Sequence, residues 1–496
     1  MATANDIANR VPITIAMMMG TLLNSLDMTI ANVALPNIRG SLSAAPDQIT
    51  WVLTSYLIAT AIMTPLSGWL AARFGMKQVL LISMAGFTLA SMLCGLATDL
   101  GEIVVFRVLQ GACGAALIPL AQAIVLDLYP PRLVGRVMAL WGMASMLGPV
   151  IGPSLGGWLT DSLSWRWVFF INLPVGAFAF ALLFASMSSG GGGRHRPFDF
   201  LGFGALTIFV GGVQLVLDRG PSQDWFSSPE IWTEAIIALI GLWVFVVQTV
   251  TAEHPFFERA LALDRNFVSC TLFGFSLGIF LFAIMALLPT MMQQFMGYSA
   301  YESGLVSMPR GIATFVAMIV VGRLIGRIDT RLLLFVGLSL SGLALSLMTG
   351  FNLSMSARPI IITGIIQGFG SGLIFVPLSA LAFTTISPAL RAEAASLYNV
   401  SRSLGSGLGI SVIQAVWSYN LVVAHADMAG HVDPTAARFT LPSLAVLNGE
   451  ITREAAMVGY LDAFRLMLIL TVLVMPLILV MKRPANVAGA VHVAAD

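Results

Sequence analysis

Residues 68–77 read GWLAARFGMK, and residues 322–331 read GRLIGRIDTR. Gly68 falls on Gly322, Arg73 on Arg327 and Lys77 on Arg331, all at an offset of 254. Further along, QGACGAALIP (110–119) is echoed by QGFGSGLIFVP (367–377), which sets Gln110 against Gln367. Each copy is flanked by long apolar runs. Repeats of this size in a hydrophobic chain are typical of transporters built from two homologous halves.

The composition agrees. Apolar residues make up 57% of the chain and charged residues 10%, against roughly 45–50% and 25% in soluble domains. So few charges do not cover a water-facing surface, so lipid is the solvent for much of the chain. A hydrocarbon core of about 30 Å needs about 20 helical residues. Runs of that kind fall at 12–36, 49–70, 78–98, 102–126, 136–158, 165–187, 200–217, 231–250, 268–290, 303–322, 332–351, 358–384, 396–417 and 461–481. The first run follows Arg10 and continues through Pro36 without a small-residue cleavage pattern, so it reads as an uncleaved span. The expected fold is an all-α membrane protein with fourteen transmembrane helices: two six-helix bundles plus two inserted helices. The expected divisions are 1–187, a linker with the inserted pair at 188–265, and 266–496.

Two connections stand out. Ser188 to Arg196 is a Gly/Ser/Arg stretch that reads as a flexible joint. Residues 418–460 form the one long polar connection, with His425, Asp427, His431, Asp433 and Pro434. Lys and Arg accumulate on the cytoplasmic side of membrane proteins. With the N-terminus inside, sixteen fall inside, Arg402 among them, and seven outside. Both termini are therefore expected in the cytoplasm and the 418–460 loop outside.

Within the spans, charge is rare and informative. Asp27, in TLLNSLDMTIANVALP, lies near the bilayer midplane. A charge there costs about 2.5–3.5 kcal/mol on insertion scales. An acid that takes up and releases a proton at that depth is what a proton-coupled carrier requires; the plain alternative is a hydrogen bond to a neighbouring helix. Arg107, in the fourth run, cannot shed its charge. It reads as a partner that biases and reports the protonation of a nearby carboxylate, or else as a side chain reaching the membrane edge. Its repeat position is Gly364, so that charge occurs in one half only. Asn32, Gln110, Gln367 and Arg310 are the polar candidates for a substrate cavity, although the glutamines would serve equally as helix–helix contacts. In GMASMLGPVIGPSLGG (142–157), Gly148, Gly152 and Gly156 share one helix face, with Pro149, Pro153 and Gly157 beside them. Small residues at that spacing allow close helix approach, and the prolines bend the helix.

Other chemistries find no support. The lysines are Lys77 and Lys482, and neither follows Gly, so there is no ATP-binding glycine loop. The histidines lie in loops or tails with no metal-ligand spacing, and His425 and His431 read as solvated. Cys94, Cys113 and Cys270 sit in apolar runs and read as packing residues rather than a disulfide framework. A net charge of +1 implies no polyanionic partner, and no nucleic-acid motif is present. An enzyme or sensor would need a reactive polar cluster or an appended domain, and neither is seen.

These motifs together resemble the fourteen-span drug:proton antiporter branch of the major facilitator superfamily, close to the EmrB-type multidrug permeases. LDMTIANVALP (26–36) is similar to the branch's first-span motif, with Asp27 as its acid. GWLAARFGMK is similar to the gating loop between spans 2 and 3, with Gly68, Arg73, Gly75 and Lys77 at its marked positions. RVLQGACGAALIPL (107–120) resembles the fourth-span motif, with Arg107 as its proton-linked arginine, and GPVIGPSLGG (148–157) the antiporter motif of the fifth. WRWVFFINLPVG (165–176), FDFLG (198–202) and RAEAASLYNVSRSLG (391–405) are similar to further branch features. One position departs: the Asp that usually precedes the first Arg of the gating loop is Ala72. The resemblance implies alternating access in a bacterial inner membrane, driven by the proton gradient without a cofactor or metal, with drug-like amphipathic substrates. It also implies a periplasmic adaptor and an outer-membrane channel as partners, with 418–460 as the docking loop. A carrier of one metabolite, lipid or siderophore is the other reading.

Overall fold

The computed structural model describes residues 4–45, 48–188, 197–325, 327–432 and 441–481. Thirteen helices are long and apolar enough to cross a membrane, and a bent pair makes fourteen. They are α1 (Arg10–Ser41), α2 (Trp51–Met63 with Leu66–Phe74), α3 (Met76–Leu96), α4 (Leu100–Leu128), α5 (Pro131–Ser162), α6 (Trp167–Ser186), α7 (Phe200–Arg219), α8 (Pro229–Thr251), α9 (Arg265–Phe295), α10 (Ala300–Leu324), α11 (Thr330–Met348), α12 (Ala357–Leu381), α13 (Arg391–Gly430) and α14 (Leu441–Val474). The break in α2 falls at Thr64–Pro65 and bends it by 54°; proline lacks the N–H that would continue the ladder. α5, in contrast, continues as one helix through Pro149 and Pro153. The turn from α2 to α3 passes through Gly75, whose φ of +88° lies where a side chain would be strained.

The sequence repeat reappears as a packing repeat. α1 packs on α5, α2 on α4, and α3 on α4 and α6. Eight helices later, α9 packs on α13, α10 on α12, and α11 on α12 and α14. The repeated glycines occupy matching seams between the halves. A Cβ on Gly68 of α2 would lie 2.8 Å from Glu393 Cα of α13, and one on Gly322 of α10 would lie 3.1 Å from Ala139 Cβ of α5.

The inserted pair sits at one seam. α7 lies against both α2 and α13; Thr54 donates to Asp218 (2.6 Å) and Ser411 to the Leu217 carbonyl (2.8 Å). Asp199 of FDFLG caps α7 and accepts from Gln248 (2.9 Å) and the Phe256 N–H (3.1 Å), which fixes the pair's other end. α8 turns Trp232, Leu239, Trp243 and Val250 outward. In lipid that face costs nothing, because the hydrocarbon is as apolar as the side chains.

Two expectations need correction. Most of the described part of the 418–460 connection is helix rather than loop. α13 continues to Gly430 and α14 begins at Leu441, and His425 Nε2 lies 3.1 Å from Asn448 Oδ1 across the resulting helical hairpin. The hydropathy of the chain drops there, but its Ala, Leu, Val and Met residues keep the helix going. Arg402 does not belong with the charges of the basic end. It follows Arg391 by eleven positions, about 16 Å along α13. Arg194, Arg196, Lys482 and Arg483, most of the 188–196 joint, and residues 433–440 of the 418–460 connection lie outside the described residues.

Candidate functional site

The site is built around Asp27 on α1. Its Oδ2 lies 2.5 Å from Arg107 Nη1 of α4, and both side chains are 0% exposed. Its Oδ1 accepts from Gln110 Nε2 (2.8 Å) and from Asn172 Nδ2 of α6 (3.1 Å). Arg107 and Gln110 lie three residues apart on α4, so helical spacing puts them on one face, and Arg107 Nη1 also donates to Gln110 Oε1 (2.8 Å). Arg107 Nε donates to the Val52 carbonyl of α2 (3.0 Å), and its guanidinium lies 4.2 Å from the Tyr56 ring centroid. Asn172 Nδ2 reaches Ser91 Oγ (2.9 Å), which donates to the Phe169 carbonyl (2.9 Å). Four helices of one half are thereby tied to a single carboxylate.

A buried ion pair is weak evidence for stability, since desolvation offsets much of the attraction. This one keeps unused hydrogen-bonding capacity: Arg107 Nη2 and Asn172 Oδ1 have no partner among the described residues. Such groups can take up new partners when the carboxylate changes charge.

The glycine face of α5 packs on α1 beside this cluster. A Cβ on Gly148 would lie 2.5 Å from the Ser25 carbonyl carbon, and one on Gly152 would lie 2.1 Å from Thr29 Oγ1. Gly156 faces Ile30 at 3.2 Å, and Gly157 is looser, 4.0 Å from Val33. Thr29 donates to the Gly148 carbonyl across the contact (3.1 Å). The opposite side of α5 is different: Pro149 and Pro153 face a cavity of about 170 Å³, whose wall α9, α10 and α12 complete. α5 thus separates the acid-bearing helix from the cavity.

The polar candidates divide. Arg310 of α10 is in the cavity wall. Gln110 is not; it is fully buried against Asp27, because the turn of α4 that presents Arg107 to the acid presents Gln110 as well. Asn32 is exposed and lies outside that wall; five residues past Asp27 is about 140° around the helix. Gln367 is 0% exposed, and neither amide atom has a partner among the described residues. Cys94 and Cys270 are buried and Cys113 half-buried, all as free thiols. Asn172, Ser91 and Tyr56 were not singled out as chemical groups. An Asn in an apolar run, as in FFINLP, was the available signal.

In the gating loop, Lys77 Nζ donates to the carbonyls of Phe184 (3.0 Å) and Met187, which ties α3 to the end of α6. Arg73 is exposed and stacks on Trp69 (5.6 Å). With Ala72 in place of an acid, the ion pair between halves at this end comes from elsewhere. Arg391 Nη1 of α13 lies 2.5 Å from Asp127 Oδ1 of α4. Asn399 Nδ2 adds a bond to Gln122 Oε1 (2.9 Å), and Ser396 one to the Pro65 carbonyl (3.4 Å).

The sequence pattern of the Major Facilitator Superfamily matches residues 17–410. The chain is 34% identical over 501 residues to the fatty acid resistance protein FarB of Neisseria gonorrhoeae, covering 97% of each. It is 35% identical over 435 residues to the multidrug export protein EmrB of Escherichia coli (strain K12), covering 86% of this chain and 84% of the relative. Its fold is similar to that of the human organic anion transporter MFSD10 (TM-score 0.61, 16% identity, 93% of this chain and 99% of that one). It is also similar to the proton:xylose symporter XylE (TM-score 0.59, 14% identity, 92% and 94%). At those identities the likeness is one of fold.

Proposed function

The chain belongs to the Major Facilitator Superfamily, and from that premise we propose that it exports small amphipathic molecules in exchange for protons. It is a multi-pass membrane transporter of the EmrB efflux type and not an enzyme. What carries the proton half of the proposal is the Asp27–Arg107 pair, sealed inside one half and bonded to four helices. A structural pair would be replaceable by packed apolar residues at little cost; a titrating one would not.

The cycle follows from the layout. Protonation of Asp27 removes the charge that Arg107 faces, and Arg107 turns to another acceptor. α1 then shifts against the glycine face of α5, and the cavity on the other face of α5 changes shape. A proton is thereby exchanged for a substrate without the two sharing a site. The driving force is the proton gradient, with no cofactor or metal in the scheme. We place the basic end in the cytoplasm of a bacterial inner membrane, with both termini there. The 418–460 hairpin then stands on the outer side, where a periplasmic adaptor leading to an outer-membrane channel would dock.

Reconstitution tests the coupling. With purified Asp27→Asn in vesicles and an imposed pH gradient, drug accumulation is expected to fall by about tenfold or more, since the replacement cannot cycle a proton. Undiminished accumulation would remove Asp27 as the coupling group.

A further inference from the structure

The two halves carry the same cation differently. At the offset of 254 that aligns Gly68 with Gly322, Tyr56 falls on Arg310 and Asp27 on Leu281. At the offset that aligns Gln110 with Gln367, Arg107 falls on Gly364. In the N-terminal half, the arginine on α4 stacks over the tyrosine on α2. In the C-terminal half, the arginine has moved to the facing helix. A Cβ on Gly364 of α12 would lie 3.5 Å from Arg310 Cβ of α10, and one on Gly368 would lie 2.2 Å from the Arg310 carbonyl oxygen.

The acid has not moved with it. Leu281, at the position matching Asp27, is part of the cavity wall beside Arg310. Arg310 is the one charged side chain on that wall, and it makes no ion pair among the described residues. Neither α9 nor α12 contains an Asp or Glu. The acid of α10, Glu302, is held in a capping box with Ser299, and that of α5 is Asp161 near the helix end. A cation among apolar groups without a counter-charge is costly.

Gln367 completes the comparison. Positions 364, 367 and 371 of α12 share one face, and Gly364 and Ser371 are cavity-wall residues. Gln367 lies between them, buried and with its amide unpaired among the described residues. In the N-terminal half, Arg107 and Gln110 hold the two oxygens of the Asp27 carboxylate. The C-terminal half has the arginine and the glutamine, and lacks the carboxylate.

We infer that the cavity binds amphipathic carboxylates, whose acid group takes the place against Arg310 and Gln367 that Asp27 occupies against Arg107 and Gln110. Phe282, Met285 and Leu288 of the same wall receive the apolar tail. A guanidinium and an amide present donors to both carboxylate oxygens at once. This rests on the cavity being the transport cavity of the proposed exporter.

Binding to protein in nanodiscs of zwitterionic lipid tests the inference without a gradient. The probes are a dansylated alkyl carboxylate, the trimethylammonium of the same tail and the neutral primary amide. Wild-type protein is expected to bind the carboxylate about tenfold or more tighter than the other two. Arg310→Gln should abolish that preference while leaving amide binding intact, which also reports that the variant is folded. Arg310→Lys should retain part of the preference, and Gln367→Leu should weaken carboxylate binding alone. Equal binding of the three probes to wild-type protein, or full preference in Arg310→Gln, would overturn the inference. Carboxylate binding without gradient-driven export would leave this site standing and sink the antiport reading; gradient-driven export of cations without carboxylate binding would do the reverse.

Discussion

Arg107 combines three kinds of contact: a carboxylate at Asp27, a backbone carbonyl at Val52 and an aromatic face at Tyr56. A lysine in its place keeps the charge but has one compact ammonium, with no planar fork to divide among them. Arg107→Lys is therefore expected to lower the thermal midpoint of the purified protein and to cut gradient-driven transport by about tenfold. Transport at wild-type level would mean that charge alone suffices at this position. Asp27 and Arg107 were legible in the sequence because a charge in an apolar run has few innocent explanations. Gln110 was legible only as polar: its partner is on another helix, and nothing along α4 says whether it faces a cavity or an acid. Asn172 was harder still, since a lone amide in a span is an ordinary helix contact. Arg402 falls within the run 396–417, so counting it with the inside charges conflicts with that run; it lies three turns inside α13, bonded to Asn399 and stacked near Phe375 at 5.6 Å.

At the scale of elements, the spans were readable because the membrane sets their length and lipid demands apolar faces. Hydropathy failed where helices leave the membrane, since a helix there needs no apolar run. α13 has 40 residues, about 60 Å of helix, twice the hydrocarbon thickness of about 30 Å. Beyond the span it pairs with the start of α14, and the two arms expose Tyr419 (70%), Val422 (62%) and Val446 (68%). A contiguous apolar patch outside the hydrocarbon marks a contact surface, and Val422 and Val446 are the side chains that test for one here. If the hairpin docks the adaptor, the double variant Val422→Glu with Val446→Glu should lose copurification with it by about tenfold or more, because a buried unpaired charge is costly at an interface. The same variant should transport normally in vesicles, where a single membrane needs no adaptor. Unchanged copurification would assign those side chains to lipid or solvent and leave the hairpin without a docking role.

In the whole molecule, the halves are joined by polar links at the basic end, and the cavity beside Arg310 lies toward the other. Among the described residues, Arg391 joins the halves there through Asp127 and the Leu126 carbonyl (3.2 Å), Asn399 through Gln122, and Ser396 through the Pro65 carbonyl, with Gly68 and Gly322 letting backbones meet on either side. The cavity, by contrast, is walled by the far portions of α5, α9 and α10. In the proposed exchange this arrangement would be one end state, with the Asp127–Arg391 pair as a charged link between the halves at the basic end. Asp127 is nearly buried at 8% exposure and Arg391 is 24% exposed, so solvent screens the pair only in part. Breaking it should shift the balance toward the opposite state by about 1 kcal/mol, or several-fold in population. A cysteine placed at Ser67, in a background lacking Cys94, Cys113 and Cys270, reads this out through its rate of reaction with a membrane-impermeant maleimide added at the basic end. Asp127→Asn and Arg391→Gln should each raise that rate several-fold. The exchange of the two, Asp127→Arg with Arg391→Asp, should bring it back toward the wild-type value, because the attraction depends on the pairing and not on which helix holds which sign. Equal rates in wild type and single variants would show that the glycine contacts alone hold the end shut, and the replacement for the acid missing at Ala72 would then be packing rather than charge.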